Sequence, residues 1–402
     1  AMNDSAARPN ERKPRIDRVI SLRGVRWANL DWHVLLLAAL LLSIGLAFIS
    51  AMSAAEETYG RSDIRFFDHV RKMLVAAPAF LLGLAARPRW LRRNALAAWV
   101  VAVLLLVLVF VLGDSRNGSR RWIDLGPFDL QPSELAKVGV ILGLAAALDH
   151  RRLKNLKEWG LPIFLALLPM ALVMLQPDLG TSLLIVPITL GMLYVGGASG
   201  RLIVGFLLGT ALLGACMWHF EIGIRDYQLQ RIDTWTHGWS APELIAERNG
   251  AAFHSYQARV AIGSGGLGGE GLGQGVANET AWLPERDCDS IFAVVAGEAG
   301  WVGTCVILAL YGLLVLSLFG SASALRDRFS RLVVTGVGIL FGAHLFIHCG
   351  VNLGLIPLTG LTLPLFSTGG SSLLATFLAL GLALGLASHR QPSLDAETFR
   401  RT

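Results

Sequence analysis

The sequence predicts an all-α integral membrane protein with about ten transmembrane helices. Of its 402 residues, 53% are hydrophobic and only 16% are charged, whereas soluble domains carry roughly 25% charged residues. The mean hydropathy is +0.55. Long apolar runs recur along the chain, and basic residues gather in alternate connections between them. Helix surfaces that face lipid carry charge only at high cost, so this pattern is typical of a membrane bundle.

The apolar runs define the predicted helices. Most are long enough to cross ~30 Å of hydrocarbon at 1.5 Å per residue, and the fourth and fifth are at the short limit. The first run lacks a small-residue cleavage motif and is expected to remain as a helix. The predicted spans are approximately 33–52, 71–87, 95–113, 133–149, 160–176, 180–197, 201–219, 290–319, 329–349 and 367–388.

Basic residues set the predicted orientation. They lie in residues 1–30, in the loops after the second, fourth and eighth spans, and in residues 391–402. The positive-inside rule places these loops and both termini in the cytoplasm. The membrane domain is then residues 31–390, with a large extracytoplasmic loop at about 220–289 between helices 7 and 8. The net charge of +6 follows from this topology and does not indicate nucleic acid.

Metal and disulfide chemistry are not predicted. The four cysteines form no CxxC pair, and most fall within or beside apolar spans. The sequence therefore predicts neither a metal site nor a disulfide framework.

Two polar motifs lie where spans meet the predicted outer surface. Arg120 and Arg121 follow the third span; paired guanidinium groups suit a diphosphate, although lipid-headgroup anchoring is an equal alternative. Trp122 fits an interfacial aromatic belt. In the motif QPSELAK, Lys137 lies about one helical turn inside the membrane, where a lysine is costly unless it is paired, faces a cavity or snorkels. Asp178 is expected to cap the next helix.

The large loop ends in two further motifs. Residues 261–275 are dense in glycine, which lets backbone approach a ligand, although a re-entrant or flexible loop would have the same composition. Carboxylates follow at Glu285, Asp287 and Asp289, just before the eighth span. Burial raises the pKa of a carboxyl group and a nearby ammonium lowers it, a combination that allows a general base near neutral pH. The alternative for Asp289 is a helix N-cap.

These motifs, in this order, resemble the SEDS family, whose best-known members are RodA and FtsW. The matching segments are NGSRRW, QPSELAK, QPDLGTSLL, AIGSGG with GLGQG, LPERDCDSIFAV and GLTLPLFSTGGSSLL. The resemblance implies a ten-helix bundle in the bacterial inner membrane. It also implies a glycosyltransferase that polymerises lipid II onto an undecaprenyl-diphosphate-linked glycan strand, with a class B penicillin-binding protein as partner.

The resemblance also assigns site residues. It makes Asp289 the essential aspartate, here interpreted as the general base, and Lys137 the lysine that pairs with it. The residues expected to bind substrate are Arg120, Arg121, Trp122, Glu285, Arg259 and Arg286. No cofactor is required; a divalent cation could help neutralise the diphosphate, but no ligand set demands one.

The sequence departs from the family pattern around the aspartate. Cys288 and Ser290 replace the usual Thr and Phe, Asp287 stands where His is frequent, and Thr368 replaces a usual Tyr. The motifs leave open whether the chain is closer to RodA or to FtsW. Two other functions remain open: a lipid II flippase, and a non-catalytic membrane scaffold for a penicillin-binding protein.

Overall fold

The computed structural model describes residues 25–58, 65–116, 119–126, 129–151, 153, 155–205, 207–209, 233–236, 252–279 and 283–389. Over these residues the chain is a bundle of helices with one short sheet. Its elements are α1 (Trp32–Thr58), α2 (Arg65–Ala85), α3 (Pro88–Leu112), β1 (Asp114–Arg116), β2 (Ser119–Asp124), β3 (Asp129–Leu130), α4 (Pro132–Asp149), α5 (Gly160–Leu175), α6 (Leu179–Val195), α7 (Phe253–Ser264), α8 (Val276–Glu279), α9 (Ile291–Ser323), α10 (Arg328–Asn352) and α11 (Gly370–Ser388).

Within the described residues, six helices are long and apolar enough to cross a membrane. They are Trp32–Glu57, Pro88–Leu112, Lys157–Leu175, Ile291–Ser323, Arg328–Asn352 and Gly370–Ser388. This confirms a multi-pass helical membrane protein. Helices α2, α4 and α6 also match predicted spans, but α2 and α4 carry more charge and α6 has only 17 residues. Of the predicted span 201–219 only residues 201–205 and 207–209 are described, and of the loop 220–289 the described parts are 233–236, 252–279 and 283–289.

The connection between α3 and α4 folds into a small antiparallel sheet that the all-helical prediction missed. Its strand order is β1-β2-β3, and β2 pairs with both neighbours. The strands are only three, six and two residues long, too short to produce a clear alternating pattern in the sequence.

The end of the bundle that carries Arg92, Arg151 and Arg328 is called the basic end here. Arg92 pairs with both Asp149 and Asp327, and Asp327 caps α10 by accepting from the Ser330 N–H at 3.0 Å. Arg328 donates to the Arg151 carbonyl at 2.6 Å. These contacts join α3, α4 and α10 where the predicted cytoplasmic loops meet.

Helix α9 is broken at Gly300, whose φ of 66° and ψ of −172° are not helical. Residues 265–271, called the glycine clamp, pack across the break. Before the break, the carbonyls of Gly297 and Glu298 accept from the clamp N–H groups of Glu270 and Gly271, each at 3.0 Å. After the break, the N–H groups of Trp301 and Val302 donate to the clamp carbonyls of Gly266 and Leu267, at 2.9 and 3.2 Å. The glycine-dense motif therefore provides hydrogen-bond partners for backbone groups of α9 on both sides of the break.

Glu298, just before the break, is also bound by the loop. Its carboxylate accepts from the Gly273 N–H at 3.0 Å and from the Asn278 amide, and the side chain is only 3% exposed. Glu270 accepts from the Val276 N–H at 2.8 Å. These two acids hold the loop onto α9.

The clamp predicts a sharp contrast between two adjacent glycines. A Cβ on Gly269 would overlap the Glu298 carbonyl oxygen, and its φ of +80° is left-handed, whereas a Cβ on Gly268 would meet nothing within 4 Å. Gly269→Ala should therefore cost about 3 kcal/mol, from overpacking and an unfavourable backbone conformation together. Gly268→Ala should be nearly neutral. Thermal melting of the purified variants in detergent tests this, and equal melting temperatures for the two would contradict the clamp.

Candidate active site

Asp289 lies in a tight turn, residues 283–290, that precedes α9 and is called the aspartate turn here. The N–H groups of Cys288 and Ser290 both donate to the Glu285 carbonyl, at 3.0 and 3.1 Å. Ser290 occupies the N-cap position of α9. Asp289 therefore immediately precedes the N-cap residue, and it is half-buried.

The aspartate turn is fastened to the segment that leads into α11. Ser367 Oγ donates to the Cys288 carbonyl at 2.7 Å, and Thr368 Oγ1 donates to Asp287 Oδ2 at 2.6 Å. Cys288 Sγ lies 3.0 Å from Thr368 Oγ1. Asp287, Cys288 and Thr368, all of which depart from the family pattern, thus form one contact cluster. Burial, followed by the charge of Asp287, raises the pKa of the Cys288 thiol, so this thiol stays protonated.

Two further groups surround Asp289. Asn352, at the end of α10, donates its amide to the Asp289 carbonyl at 3.1 Å. Asp289 Oδ2 faces Gly360, where an added Cβ would lie only 3.2 Å from it. Gly360 has a φ of +67°, so glycine suits this position both sterically and conformationally. The carboxylate is thereby positioned against the backbone of the segment between α10 and α11.

Lys137 is buried at the start of α4, with 1% of its surface exposed, and it does not snorkel. Its Nζ lies 2.9 Å from Glu134 Oε2 and 2.9 Å from His344 Nε2. These are the polar contacts of Lys137 among the described residues, so the expected pair with Asp289 is not a direct bond. The two residues are connected instead through α10, which carries both His344 and Asn352.

Arg121 binds the turn between α5 and α6. Its guanidinium donates to the Gln176 carbonyl at 2.7 Å and to the Pro177 carbonyl. In the same turn Asp178 accepts from the Thr181 N–H at 3.1 Å, which confirms it as the cap of α6. Arg121 therefore satisfies the carbonyls at the end of α5.

Arg120 is the exposed member of the arginine pair. It makes a long contact with the Phe110 carbonyl, at 3.5 Å. Arg120 pairs with Ser115 of β1, whereas Arg121 lies at a shift in the register between the two strands. Because Arg121 is bound to the Gln176 and Pro177 carbonyls, the two arginines do not form a two-pronged clamp. Trp122, next along the strand, is half-buried. Arg120 is thus the arginine of this motif that remains available to an anionic ligand.

This division of roles predicts different effects on stability. Arg121→Met leaves the carbonyls of Gln176 and Pro177 without their donor and should cost roughly 1–3 kcal/mol. Arg120→Met removes only a long contact at an exposed position and should leave the melting temperature unchanged. Thermal melting of both variants checks this; a larger loss from Arg120→Met would reverse the assignment.

The other two predicted arginines differ in setting. Arg286 is 3% exposed, pairs with Glu56 of α1 and donates to the Ala277 carbonyl at 3.0 Å. Desolvation lowers its pKa, opposed by the carboxylates of Asp287 and Glu298. Arg259, on α7, lies half-buried directly against Gly354, and burial lowers its pKa as well. Arg286 therefore stabilises the aspartate turn. Glu285 is exposed at the surface of that turn.

Sequence reasoning missed three histidines at this site. His254 of α7 places Nε2 2.5 Å from Ser290 Oγ, beside Asp289. His344 and His348 lie inside α10, 2% and 1% exposed. The signal was available, because polar residues spaced by four within an apolar span mark a buried helix face. In the part of the chain that the structure describes, no group of three or more His, Cys, Asp or Glu is arranged to hold a metal ion.

Comparison with known proteins identifies the family. A family model described as a cell cycle protein, FtsW/RodA/SpoVE, matches residues 31–392. The chain belongs to the SEDS family. One SEDS relative, a probable peptidoglycan glycosyltransferase FtsW from Thiomicrospira cyclica, is 35% identical over 367 residues, covering 89% of this chain and 91% of that protein. Another, peptidoglycan glycosyltransferase MrdB of Escherichia coli, is 36% identical over 294 residues, covering 73% of this chain and 77% of that protein.

Solved structures share this fold. A chain from a peptidoglycan synthase complex superposes with a TM-score of 0.76 at 31% identity, covering 91% of this chain and all of that one. The rod shape determining protein RodA of Thermus thermophilus superposes with a TM-score of 0.67 at 30% identity, covering 91% of this chain and 99% of that one. The relatives therefore include both FtsW and RodA.

Proposed function

We propose that this chain is a peptidoglycan glycosyltransferase that polymerises lipid II into glycan strands at the outer face of the cytoplasmic membrane. The relatives named as glycosyltransferases support this activity. The observation that carries it to this chain is the placement of Asp289. Asp289 precedes the N-cap residue of α9 and is half-buried. Its backbone carbonyl is held by Asn352 of α10, and its carboxylate faces Gly360 in the segment between α10 and α11.

In the proposed reaction Asp289 takes the proton from the 4-hydroxyl group of the acceptor lipid II sugar. That oxygen attacks the anomeric carbon of the growing strand, and the carbon–oxygen bond to undecaprenyl diphosphate breaks. The electron pair leaves with the diphosphate. A single displacement converts the α-linked donor into a β-1,4 bond. The diphosphate is a good leaving group, so the reaction needs no nucleotide.

The remaining residues take different roles. Arg120, exposed on β2, and Arg259, beside Gly354, are proposed to stabilise the negative charge that develops on the diphosphate, with Trp122 alongside. A divalent cation could share this task. Arg121 and Arg286 maintain the surrounding framework, and Glu285 is available to polar groups of the substrate. Lys137 acts on Asp289 electrostatically and through the α10 contacts.

The proposed topology has ten helices with both termini and the basic end in the cytoplasm. The loop at about 220–289 and the aspartate turn then lie on the outer side. Trp301, 65% exposed just after the break in α9, suits the outer membrane interface. A class B penicillin-binding protein is the proposed partner; it would crosslink the strands. The likeness to a chain from a synthase complex supports this partnership.

The test is polymerisation of lipid II by the purified protein, with and without a class B penicillin-binding protein from the same organism. Glycan strands that muramidase degrades to disaccharide units are expected from the wild type. Lipid II transport across proteoliposomes without glycan product would indicate a flippase. No product with any partner, together with stable binding of that partner, would indicate a scaffold.

A further inference from the structure

Helix α10 carries a buried polar face beside Asp289. His344, His348 and Asn352 are spaced by four residues, so they lie on one side of the helix. They are 2%, 1% and 3% exposed. A buried polar group is costly unless it is hydrogen-bonded, so each contact on this face is informative.

His344 connects α4 to the segment before α11. Its Nδ1 lies 3.1 Å from the Thr362 carbonyl, and its Nε2 lies 2.9 Å from Lys137 Nζ. A carbonyl oxygen only accepts and an ammonium only donates. The network therefore assigns the ring proton to Nδ1 and a lone pair to Nε2, which is the neutral imidazole.

His348 repeats the arrangement one turn further along. Its Nδ1 lies 2.7 Å from the Leu361 carbonyl, and its Nε2 accepts from the Phe292 N–H at 3.4 Å. The Phe292 N–H belongs to the first turn of α9, where no intrahelical acceptor exists. This ring is assigned the same neutral tautomer.

We infer that His344 and His348 are positioning residues for Asp289, each acting as a neutral imidazole that donates on one side and accepts on the other. Together they bind consecutive carbonyls, Leu361 and Thr362, next to Gly360, which faces the Asp289 carboxylate. They also hold Lys137 and the start of α9. The inference rests on the proposed function of Asp289 as general base.

Glutamine is the informative replacement for histidine, because its amide, like a neutral imidazole, both donates and accepts hydrogen bonds. Its amide nitrogen can donate to the carbonyl and its oxygen can accept from Lys137, whereas leucine offers neither group. A displacement of about 1 Å in a catalytic group can cost ~100-fold in rate. We therefore expect His344→Leu to lower kcat for lipid II polymerisation by about that factor with little change in KM, and His344→Gln to stay within roughly fivefold of the wild type.

The experiment compares wild type, His344→Gln, His344→Leu and His348→Leu, each with its penicillin-binding protein, and records melting temperature and partner binding. His348→Leu leaves no buried cation unpaired, so it tests the inference even if His344→Leu fails to fold. His150→Leu, whose parent side chain is 83% exposed at the basic end, is the control and should keep the wild-type rate.

The outcomes separate this inference from the function on which it rests. Full activity of both leucine variants alongside an active wild type would overturn the positioning role. So would a His344→Gln enzyme that melts like the wild type but has lost its activity. An inactive wild type would instead refute the proposed glycosyltransferase function.

Discussion

Asp289→Asn should abolish lipid II polymerisation while leaving the protein folded and bound to its partner. A positioned general base contributes about 10²–10⁴-fold to rate, and asparagine cannot accept the proton at neutral pH. The size of the side chain is preserved, and the contact from Asn352 goes to the Asp289 backbone carbonyl, which the substitution does not alter. The expected defect is therefore in kcat and not in folding.

Asp287→Asn is the matched control. It changes another carboxylate of the same turn, and an asparagine oxygen can still accept from Thr368 Oγ1. This variant should keep most of the wild-type rate. The measurement is the rate of glycan synthesis at saturating lipid II. Asp289 would be excluded as the base if Asp289→Asn were as fast as the wild type, or if Asp289→Asn and Asp287→Asn lost the same share of the rate.

Lys137→Met should produce the largest loss of stability. It leaves the Glu134 carboxylate, 6% exposed, without its cation. Removing one partner of a buried ion pair costs about 3–5 kcal/mol, whereas replacing both partners with apolar side chains is often neutral. Lys137→Met/Glu134→Leu should therefore recover most of the melting temperature. It should not recover activity, because Asp289 still lacks the positive charge and His344 lacks its donor.

Lys157→Met provides the control, since Lys157 is an exposed lysine near the start of α5. Its melting temperature and rate should match the wild type. A double variant as unstable as Lys137→Met would mean that the pair with Glu134 is not what stabilises this region. A fully active double variant would remove Lys137 from the catalytic mechanism.

The features that could be predicted from the sequence are those determined by residues close together in the chain. Apolar runs predicted the spanning helices because lipid contact constrains every residue of a span. The cap at Asp178 was predicted because it acts within one helical turn. Asp289 and Lys137 were selected through family motifs, and their proposed roles stay predictions.

Features that depend on distant contacts could not be predicted in this way. The glycine clamp was ambiguous because composition does not reveal that the break at Gly300 needs hydrogen bonds from another segment. The two arginines of β2 looked alike until the fold brought the turn carbonyls of Gln176 and Pro177 to Arg121 alone. His344 joins Lys137 to Thr362 across three parts of the chain, so its role is defined only by tertiary structure.

The break in α9 also resolves a hydrophobic mismatch. An unbroken helix from Ile291 to Ser323 would be about 50 Å long, some 20 Å more than the hydrocarbon core. Such a helix would have to tilt steeply or place Glu298 in lipid. With the break, the part after Gly300 is about 34 Å long and suits the bilayer. The part of α9 before the break is buried in protein, and it directly follows the aspartate turn and supports it.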